Sequence, residues 1–501
     1  MEKWLNLQNG SDIRGVAIAG VKGQTVTLHD PIVRSIGFAF AQWLSERLGK
    51  PVDQLKISVG HDSRISANQI KTSIFQGLTA AGSVGFDCGL ASTPAMFMST
   101  VFENHGYDGS MMLTASHLPF NRNGVKFFLR EGGLEKKDIT KILTIASKIG
   151  KLPGLPAVNA TQVNLMDDYA AHLVTVIQNG TGVATPLDGL KIVVDAGNGA
   201  GGFFVDKVLQ PLGADTTGSQ FLEPDGMFPN HIPNPEDNDA MAAIIAAVKD
   251  NGADFGIIFD TDVDRAGAVD KNGTTINRNR FIALMATIVL EEHPGSVIVT
   301  DSVTSTGLKW WIEEKLGGIH HRFQRGYRNV INEAIRLNGE GKESFLALET
   351  SGHGALKENY FLDDGAYQIA KILIKMAQLK TDGETTIDQL IADLPEPVEA
   401  AEYRPKIKAA DFNVYGTSVL EGFAKFVEKS EGWNLTPNSY EGVHVTCDVT
   451  AGNGWALLRK SLHDPQLPLN IESEESGGVE KIAVKIKGFL SAYEGLDLPD
   501  M

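Results

Sequence analysis

Cysteine is nearly absent from this chain. Cys88 and Cys447 are the only two in 501 residues, too few for a disulfide framework, and neither sits in a metal-type spacing. Both are therefore expected to be reduced core residues of an intracellular protein. Long apolar runs are missing as well. The longest, Phe281 to Leu290, has about half of the ~20 residues that a membrane-spanning helix requires. The N-terminus MEKWLNLQNGSDIRG turns polar almost at once, without the apolar stretch of a secretory signal. A cytoplasmic location is expected, or a plastid one if a transit peptide was removed. There is no basic tract, low-complexity tail or coiled-coil heptad. The formal charge of −17 argues against nucleic-acid binding, because polyanion affinity comes from clustered Lys and Arg. An anionic substrate would need a locally basic cleft.

What is present reads as repeated α/β structure. At roughly 150 residues per domain the length predicts three or four domains. LKISVGHDSR runs into SANQIKTSIFQGLTAAG, where Ile70, Ile74, Leu78 and Ala81 share one helical face. GLKIVVDAGNGAGG, ADFGIIFDTDVDR and GSVIVTDSVTSTGLKWWIEEKL repeat the pattern of apolar strand, Gly/Ser/Asp turn and helix. Such turns leave backbone N–H groups and helix N-termini available to anions. The Pro/Gly/Asn-rich stretch from Lys148 to Asn164 and the Pro/acidic stretch from Ala392 to Pro405 read as boundaries, with a weaker one from Asn272 to Asn279.

Two loops carry the chemistry. TASHLPFNRNGVKFF offers the Ser116 hydroxyl, flanked by His117 and followed by Lys126. His117 can move a proton or bind phosphate, Lys126 supplies a charge or a base, and Asn123-Gly124 is expected to make the tight turn that brings Lys126 back toward Ser116. A loop hydrogen-bonder is the plain alternative for the serine. A Ser-His-Asp hydrolase fits poorly, since neighbouring Ser and His do not readily adopt triad geometry and no G-x-S-x-G elbow is present. FDTDVDRAG places Asp260, Asp262 and Asp264 on alternate residues, closed by Arg265. An acidic surface turn is the bland reading and a site for a small hard cation such as Mg²⁺ the sharp one. A calcium EF-hand fails on spacing, since the sixth position is Arg265 and the twelfth Lys271. Two further loops are weaker. ALETSGHGALKENYFLDDGAY groups Glu349, Ser351 and His353, side chains suited to sugar hydroxyls but equally to a capping turn. GNGWALLRKSLHDP offers Arg459 and Ser461 as a phosphate cradle or as ordinary surface residues.

In this order the loops resemble the α-D-phosphohexomutase superfamily, which includes phosphoglucomutases, phosphomannomutases and phosphoglucosamine mutases. The resemblance runs from NGSDIRG, whose Arg14 matches the family's active-site arginine, through VGHDSR, TASHLP with NGVK, PDGMFPNHIPNPED and the Asp260–Arg265 loop to ETSGH. It implies three related α/β domains with mixed sheets and a smaller α+β C-terminal domain around a central cleft. The expected ranges are 1–160 with the serine loop, 161–277 with the metal loop, 278–397 with the sugar loop and 398–501 with the phosphate loop. Ser116 would be a phosphoserine and, with Asp260, Asp262 and Asp264, would bind one Mg²⁺. His117, Lys126 and Arg14 would serve catalysis. Arg265, Glu349, Ser351, His353, Arg459 and Ser461 would hold the substrate. The implied reaction exchanges hexose 1-phosphate and hexose 6-phosphate, of glucose or mannose, through a hexose 1,6-bisphosphate. The partners are small sugar phosphates, with a sugar bisphosphate as activator, in a monomer or homodimer and with no membrane.

Three departures bear on that expectation. Leu118 replaces a usual asparagine, Arg328 in QRGYRNV replaces a usual lysine, and RKSLHDP replaces the family's Arg-x-Ser-x-Thr-x-Pro loop, with His463 and Asp464 near the threonine position. Asp464 would repel a phosphate. That raises the alternative of a hexose 1,6-bisphosphate synthase that releases the bisphosphate; separate alternatives are a phosphoglucosamine mutase and a non-catalytic sugar-phosphate-binding paralogue.

Overall fold

The computed structural model describes residues 2–150, 152, 158, 160–383, 386–461 and 464–501. Seven positions of the Lys148–Asn164 stretch, and His463, lie outside the described residues. By compactness the chain forms two units, Met1–Phe281 with Ser351–Asp388, and Ile282–Thr350 with Gln389–Met501. This grouping cuts across the sequence ranges, because 351–388 joins the N-terminal part of the chain.

In the first unit a mixed sheet runs through β1 (Asp12–Val16), β2 (Lys56–His61), β3 (Val84–Leu90), β4 (Gly109–Leu113) and β5 (Arg122–Leu129). Its spatial order is β1-β5-β4-β2-β3. β2 is parallel to β3 and β4, while β5 is antiparallel to both β4 and β1. Helices α1 (Asp30–Leu48) and α2 (Ala67–Ala81) bury Val33, Ile36, Phe40, Leu44, Ile70, Ile74 and Leu78 in the core of this sheet, with Ala81 half-buried at its edge. The two helices meet backbone to backbone: a Cβ on Gly77 would stand 2.1 Å from the Arg34 carbonyl oxygen. Only glycine permits that approach.

The Asn123-Gly124 pair differs from its expected role. Both residues belong to β5 rather than to a turn, and the chain reverses earlier, between Leu118 and Asn121. Gly124 is set by packing, since a Cβ there would lie 2.3 Å from the Ile13 carbonyl oxygen of β1 and 2.8 Å from that of Thr114. Strand pairing, not turn chemistry, delivers Lys126, which faces Met112 of β4.

A second mixed sheet in the same unit holds β6 (Ile192–Asp195), β7 (Phe255–Phe259) and β8 (Ala266–Asp270), with β6 parallel and β8 antiparallel to β7. The helix Asn238–Asn251, capped by the Asp237 carboxylate, buries Met241, Ile244 and Val248 against it. Both chemistry-bearing loops leave the C-terminal ends of buried strands, Ser116 beyond β4 and Asp260 directly after β7. In open α/β sheets this is where ligands bind.

The second unit contains parallel strands β9 (Val297–Thr300), β10 (Ile319–Arg322) and β11 (Ser344–Leu348), with β9 in the middle. It also contains the antiparallel sheet of β12 (Glu399–Tyr403), β13 (Trp433–Leu435), β14 (Val443–Cys447), β15 (Gly454–Leu458) and β16 (Leu469–Ser473). Its order is β12-β16-β15-β14-β13, and the helices Phe412–Val427 and Gly478–Leu490 pack on it. The fold is thus three α/β domains with mixed sheets plus a C-terminal α+β domain. Among the described residues no helix is long and apolar enough to cross a membrane.

Candidate active site

Ser116 is buried and takes a left-handed backbone conformation, φ 52°. Its amide N–H is satisfied by Thr114 Oγ1 at 2.9 Å. A non-glycine residue at positive φ persists only where its surroundings fix it. Here Arg64 does so. Its guanidinium, itself buried, donates to the carbonyl oxygens of Ser116, Leu118, Pro119 and Arg122, and so cross-links the whole serine loop. Asp62 pairs with its Nε at 3.3 Å, and the Phe228 ring lies 5.3 Å from the guanidinium carbon.

The aspartate loop meets the serine loop directly. Ser116 Oγ donates to Asp260 Oδ2 at 3.1 Å, and Arg265 Nη2 lies 3.2 Å from Ser116 Oγ and 3.1 Å from Asp260 Oδ2. Lys126 Nζ reaches Asp262 Oδ2 at 3.0 Å and Asp264 Oδ2 at 2.5 Å. Thr93, the first residue of the helix Thr93–Met98, grips Asp262 twice, with its amide to the carbonyl oxygen and its hydroxyl to Oδ2. Val263, between the carboxylates, has φ 66°, a rare conformation for a β-branched residue. Its carbonyl accepts from Gly365 N at 3.1 Å.

The donor set fits a hard cation. One ligand oxygen from each of Asp260, Asp262 and Asp264 falls within 4.8 Å of the others. The Oδ1 atoms of Asp262 and Asp264 are buried and have no hydrogen-bond partner among the described residues. Buried carboxylate oxygens without donors are costly unless a cation takes them. Burial and the neighbouring carboxylates push Asp260 well above the usual range. Burial also penalises the Asp264 carboxylate, but Lys126, His353 and Arg265 outweigh it and hold that group well below the usual range.

His117 Nδ1 accepts from Arg265 Nη2 at 2.7 Å and lies 3.3 Å from Ser116 Oγ. An arginine can only donate, so this ring nitrogen carries a lone pair and the imidazole is neutral. His117 as a whole residue is exposed, while its Nδ1 edge is part-buried against Ser116 and Arg265. Even so, the desolvated surroundings of the ring, with Arg265 and Arg14 beside it, push its pKa down to about 3. Arg14, on β1, is held by Asp12 at 2.9 Å.

His353 sits with the aspartates. Its Nδ1 is 2.7 Å from Asp363 Oδ2 and 3.7 Å from Asp264 Oδ1. Burial alone would lower its pKa, but Asp363 and Asp264 overcome that and raise it to about 9. Ser351, half-buried, opens the same returning segment. Ser116, His117, Lys126, Arg14, the three aspartates, Arg265 and His353 thus all lie in the first unit. The sequence reading assigned no role to Arg64, Thr93 or Asp363, although VGHDSR and the DDG of FLDDGAY stood in quoted motifs.

Glu349, Arg459 and Ser461 lie in the second unit. Glu349 is buried and accepts from Gly326 N at 2.6 Å. Arg459, also buried, has Nη1 3.6 Å from Glu441 Oε1, while its Nε has no hydrogen-bond partner among the described residues. Glu441 Oε2 also accepts from Ser302 Oγ at 2.5 Å and from Arg325 N at 3.0 Å. Arg325 Nε is 3.4 Å from Asp301, which Thr350 bonds at 2.7 Å. Ser461 Oγ accepts from Asp464 N at 3.2 Å. Sequence reasoning did not single out Asp301, Arg325 or Glu441, which assemble only when distant strands meet.

Comparison with known proteins points to one family. Models of the phosphoglucomutase/phosphomannomutase alpha/beta/alpha domains I, II and III match residues 6–152, 167–273 and 277–398. A phosphomannomutase/phosphoglucomutase of Pseudomonas putida is 32% identical over 94% of this chain and 94% of its own length. A phosphoglucomutase of Neisseria meningitidis is 29% identical over 96% of this chain and 97% of its own. A crystal structure of a phosphoglucomutase/phosphomannomutase family protein from Burkholderia thailandensis is 27% identical, with a TM-score of 0.79 and 98% of each chain covered.

Proposed function

The chain belongs to the phosphoglucomutase/phosphomannomutase family, and on that premise we propose that it interconverts hexose 1-phosphate and hexose 6-phosphate, of glucose or mannose, through a phosphorylated Ser116. As in its relatives, the activity is that of a mutase, an isomerase acting by phosphoryl transfer. The observation that carries the residue assignment is the bond from Ser116 Oγ to Asp260 at 3.1 Å, beside two buried carboxylate oxygens that accept no hydrogen bond among the described residues.

Asp260, Asp262 and Asp264 would hold the cation, for which Mg²⁺ suits three hard oxygen donors. Such an ion neutralises charge on the transferring phosphoryl group. In the forward step the bond from phosphorus to the Ser116 oxygen breaks and a bond from phosphorus to a sugar hydroxyl oxygen forms. Arg265, bonded to both Ser116 and Asp260, steadies the charge that develops on the phosphoryl group and on the serine oxygen it leaves. The neutral His117 is placed to take the sugar hydroxyl proton at Nδ1 once Arg265 turns to the phosphate. The hexose 1,6-bisphosphate then reorients and returns its other phosphate to Ser116. Arg459, with an unused Nε, and Ser461 would bind the phosphate not reacting, and Glu349 and Ser351 the sugar hydroxyls. The cell compartment consistent with this chemistry is the cytoplasm. Intact-mass and peptide mapping after exposure to glucose 1,6-bisphosphate should find one phosphate on Ser116. Full turnover by Ser116→Ala would sink the phosphoenzyme.

A second reading, release of the bisphosphate as product, rests on the phosphate loop. Arg459 is partly engaged by Glu441, Ser461 is bonded by the Asp464 amide, and the Asp464 carboxylate stands close by in sequence. A loss of ~1.4 kcal/mol in that grip makes escape about tenfold more competitive with reorientation. Product partitioning decides: with glucose 1-phosphate and a bisphosphorylated donor, glucose 6-phosphate should dominate. Stoichiometric free glucose 1,6-bisphosphate would establish the synthase instead.

A further inference from the structure

In the second unit a cavity of about 320 Å³ opens between the edge strand β10 and the segment Thr436–His444. It shares no residue with the Ser116–aspartate cluster. Arg322, at the end of β10, is half-buried. Its Nε donates to Thr304 Oγ1 at 2.9 Å and its Nη2 to the Ser305 carbonyl at 2.8 Å, which locks the guanidinium plane. Its Nη1 has no partner among the described residues, and no carboxylate lies within ion-pair distance. Burial pulls the Arg322 pKa down, and Glu472, Glu313 and Asp301 act on it only from farther away.

His444 lines the same cavity and is 6% exposed. Its Nδ1 is 2.7 Å from Thr436 Oγ1 and its ring stacks on Trp455, whereas Nε2 is buried with no hydrogen-bond partner among the described residues. His320 adds a second partnerless ring nitrogen, Nδ1, its Nε2 being 2.8 Å from Thr300 Oγ1. Burial holds both imidazoles in the neutral form, assisted by Arg322. Lys309 stands at the mouth, and the one carboxylate that lines the cavity, Glu313, is 3.8 Å from it. On the outer wall Tyr440 and Phe323 pair at 5.0 Å between ring centroids, and Tyr440 is 43% exposed.

Arg322 and His444 line one cavity, and the free guanidinium edge of the first and the unpartnered Nε2 of the second are groups that an oxyanion satisfies. With Thr436 donating to Nδ1, His444 Nε2 carries the proton that such a ligand accepts. The volume exceeds that of a bare phosphate and matches small-ligand cavities of roughly 300–1,000 Å³. We propose that this cavity is a second anion site, which takes a phosphate monoester with its phosphate on Arg322 and His444 and its organic part against Tyr440 and Phe323.

The test is calorimetric titration of the full-length protein with inorganic phosphate and with adenosine 5′-monophosphate. Arg322→Gln and His444→Phe should each weaken binding about tenfold or more, the effect of losing one charge-assisted bond. Arg459→Gln, in the other phosphate-binding cluster, should leave it within about twofold, as expected for an independent site. Tighter binding of the nucleotide, lost in Tyr440→Ala, assigns the organic part to the aromatic wall. Equal affinity for the two probes assigns the site to free phosphate and overturns the monoester. If Arg322→Gln fails to fold, the exposed Lys309→Met replaces it. Absence of binding to the unmodified protein, or binding that Arg459→Gln abolishes and Arg322→Gln spares, overturns the second site altogether.

Discussion

Lys126 Nζ lies 3.0 Å from Asp262 and 2.5 Å from Asp264, and all three groups are buried. Removing one member of such a cluster leaves uncompensated charge, which costs about 3–5 kcal/mol. Lys126→Met should therefore lose stability of that order in chelator-treated protein and regain part of it with Mg²⁺, because a bound cation neutralises the same carboxylates. Urea denaturation with and without metal checks this, and equal stability of the variant and its parent in chelator would show that the lysine is not holding the loop. The residue scale also shows where the sequence is readable. Asp260, Asp262 and Asp264 alternate after an apolar strand, so their convergence is local and visible in FDTDVDR. Arg64 is not visible in this way, because its four carbonyl partners lie more than 50 residues downstream. The His353–Asp363 pair is equally hidden, since it forms only when Gly354–Leu356 and Leu362–Asp363 fold back as antiparallel strands.

Elements were legible where their periodicity is local. The face of α2 bearing Ile70, Ile74 and Leu78 could be read from spacing alone. Asn123-Gly124 misled because Asn-Gly is a strong turn signal, while the reason for Gly124 is the β1 backbone pressed against it, a partner more than 100 residues away in sequence. Strand β16 carries a buried carboxyl group whose proton is linked to folding. Glu472 on that strand faces Trp455, whose indole N–H bonds it at 2.9 Å, and feels Arg322 and Glu474. Burial, opposed by Trp455 and Arg322, pushes its pKa to about 7 from an ordinary 4.5. The folded state then binds this proton more tightly than the unfolded state. Its contribution is full below about 4.5 and is lost as the pH rises through about 7. Glu472→Gln should flatten that slope, so that its melting temperature gains on the parent's between pH 5 and pH 8. Parallel profiles for the two proteins would mean that Glu472 is already ionised.

At the scale of the whole molecule, motif order made the family legible, yet no periodicity announces that Ser351–Asp388 belongs with Met1–Phe281. A fragment of residues 1–281 keeps Ser116 and all three aspartates but lacks His353, Asp363 and Gly365. It should bind Mg²⁺ more weakly than the full chain and melt at a lower temperature, as calorimetry of both would show. Equal affinity in the fragment would make the returning segment irrelevant to the metal loop. The same discontinuity matters during synthesis. Arg265 is translated about 100 residues before Gly365, whose amide bonds the Val263 carbonyl. At about 5–20 residues per second the ribosome needs roughly 5–20 s to cover that interval. Throughout it the nascent chain displays a triple-carboxylate turn without its closing partner, so vectorial synthesis alone cannot finish this centre, and the serine must wait on the last third of the message.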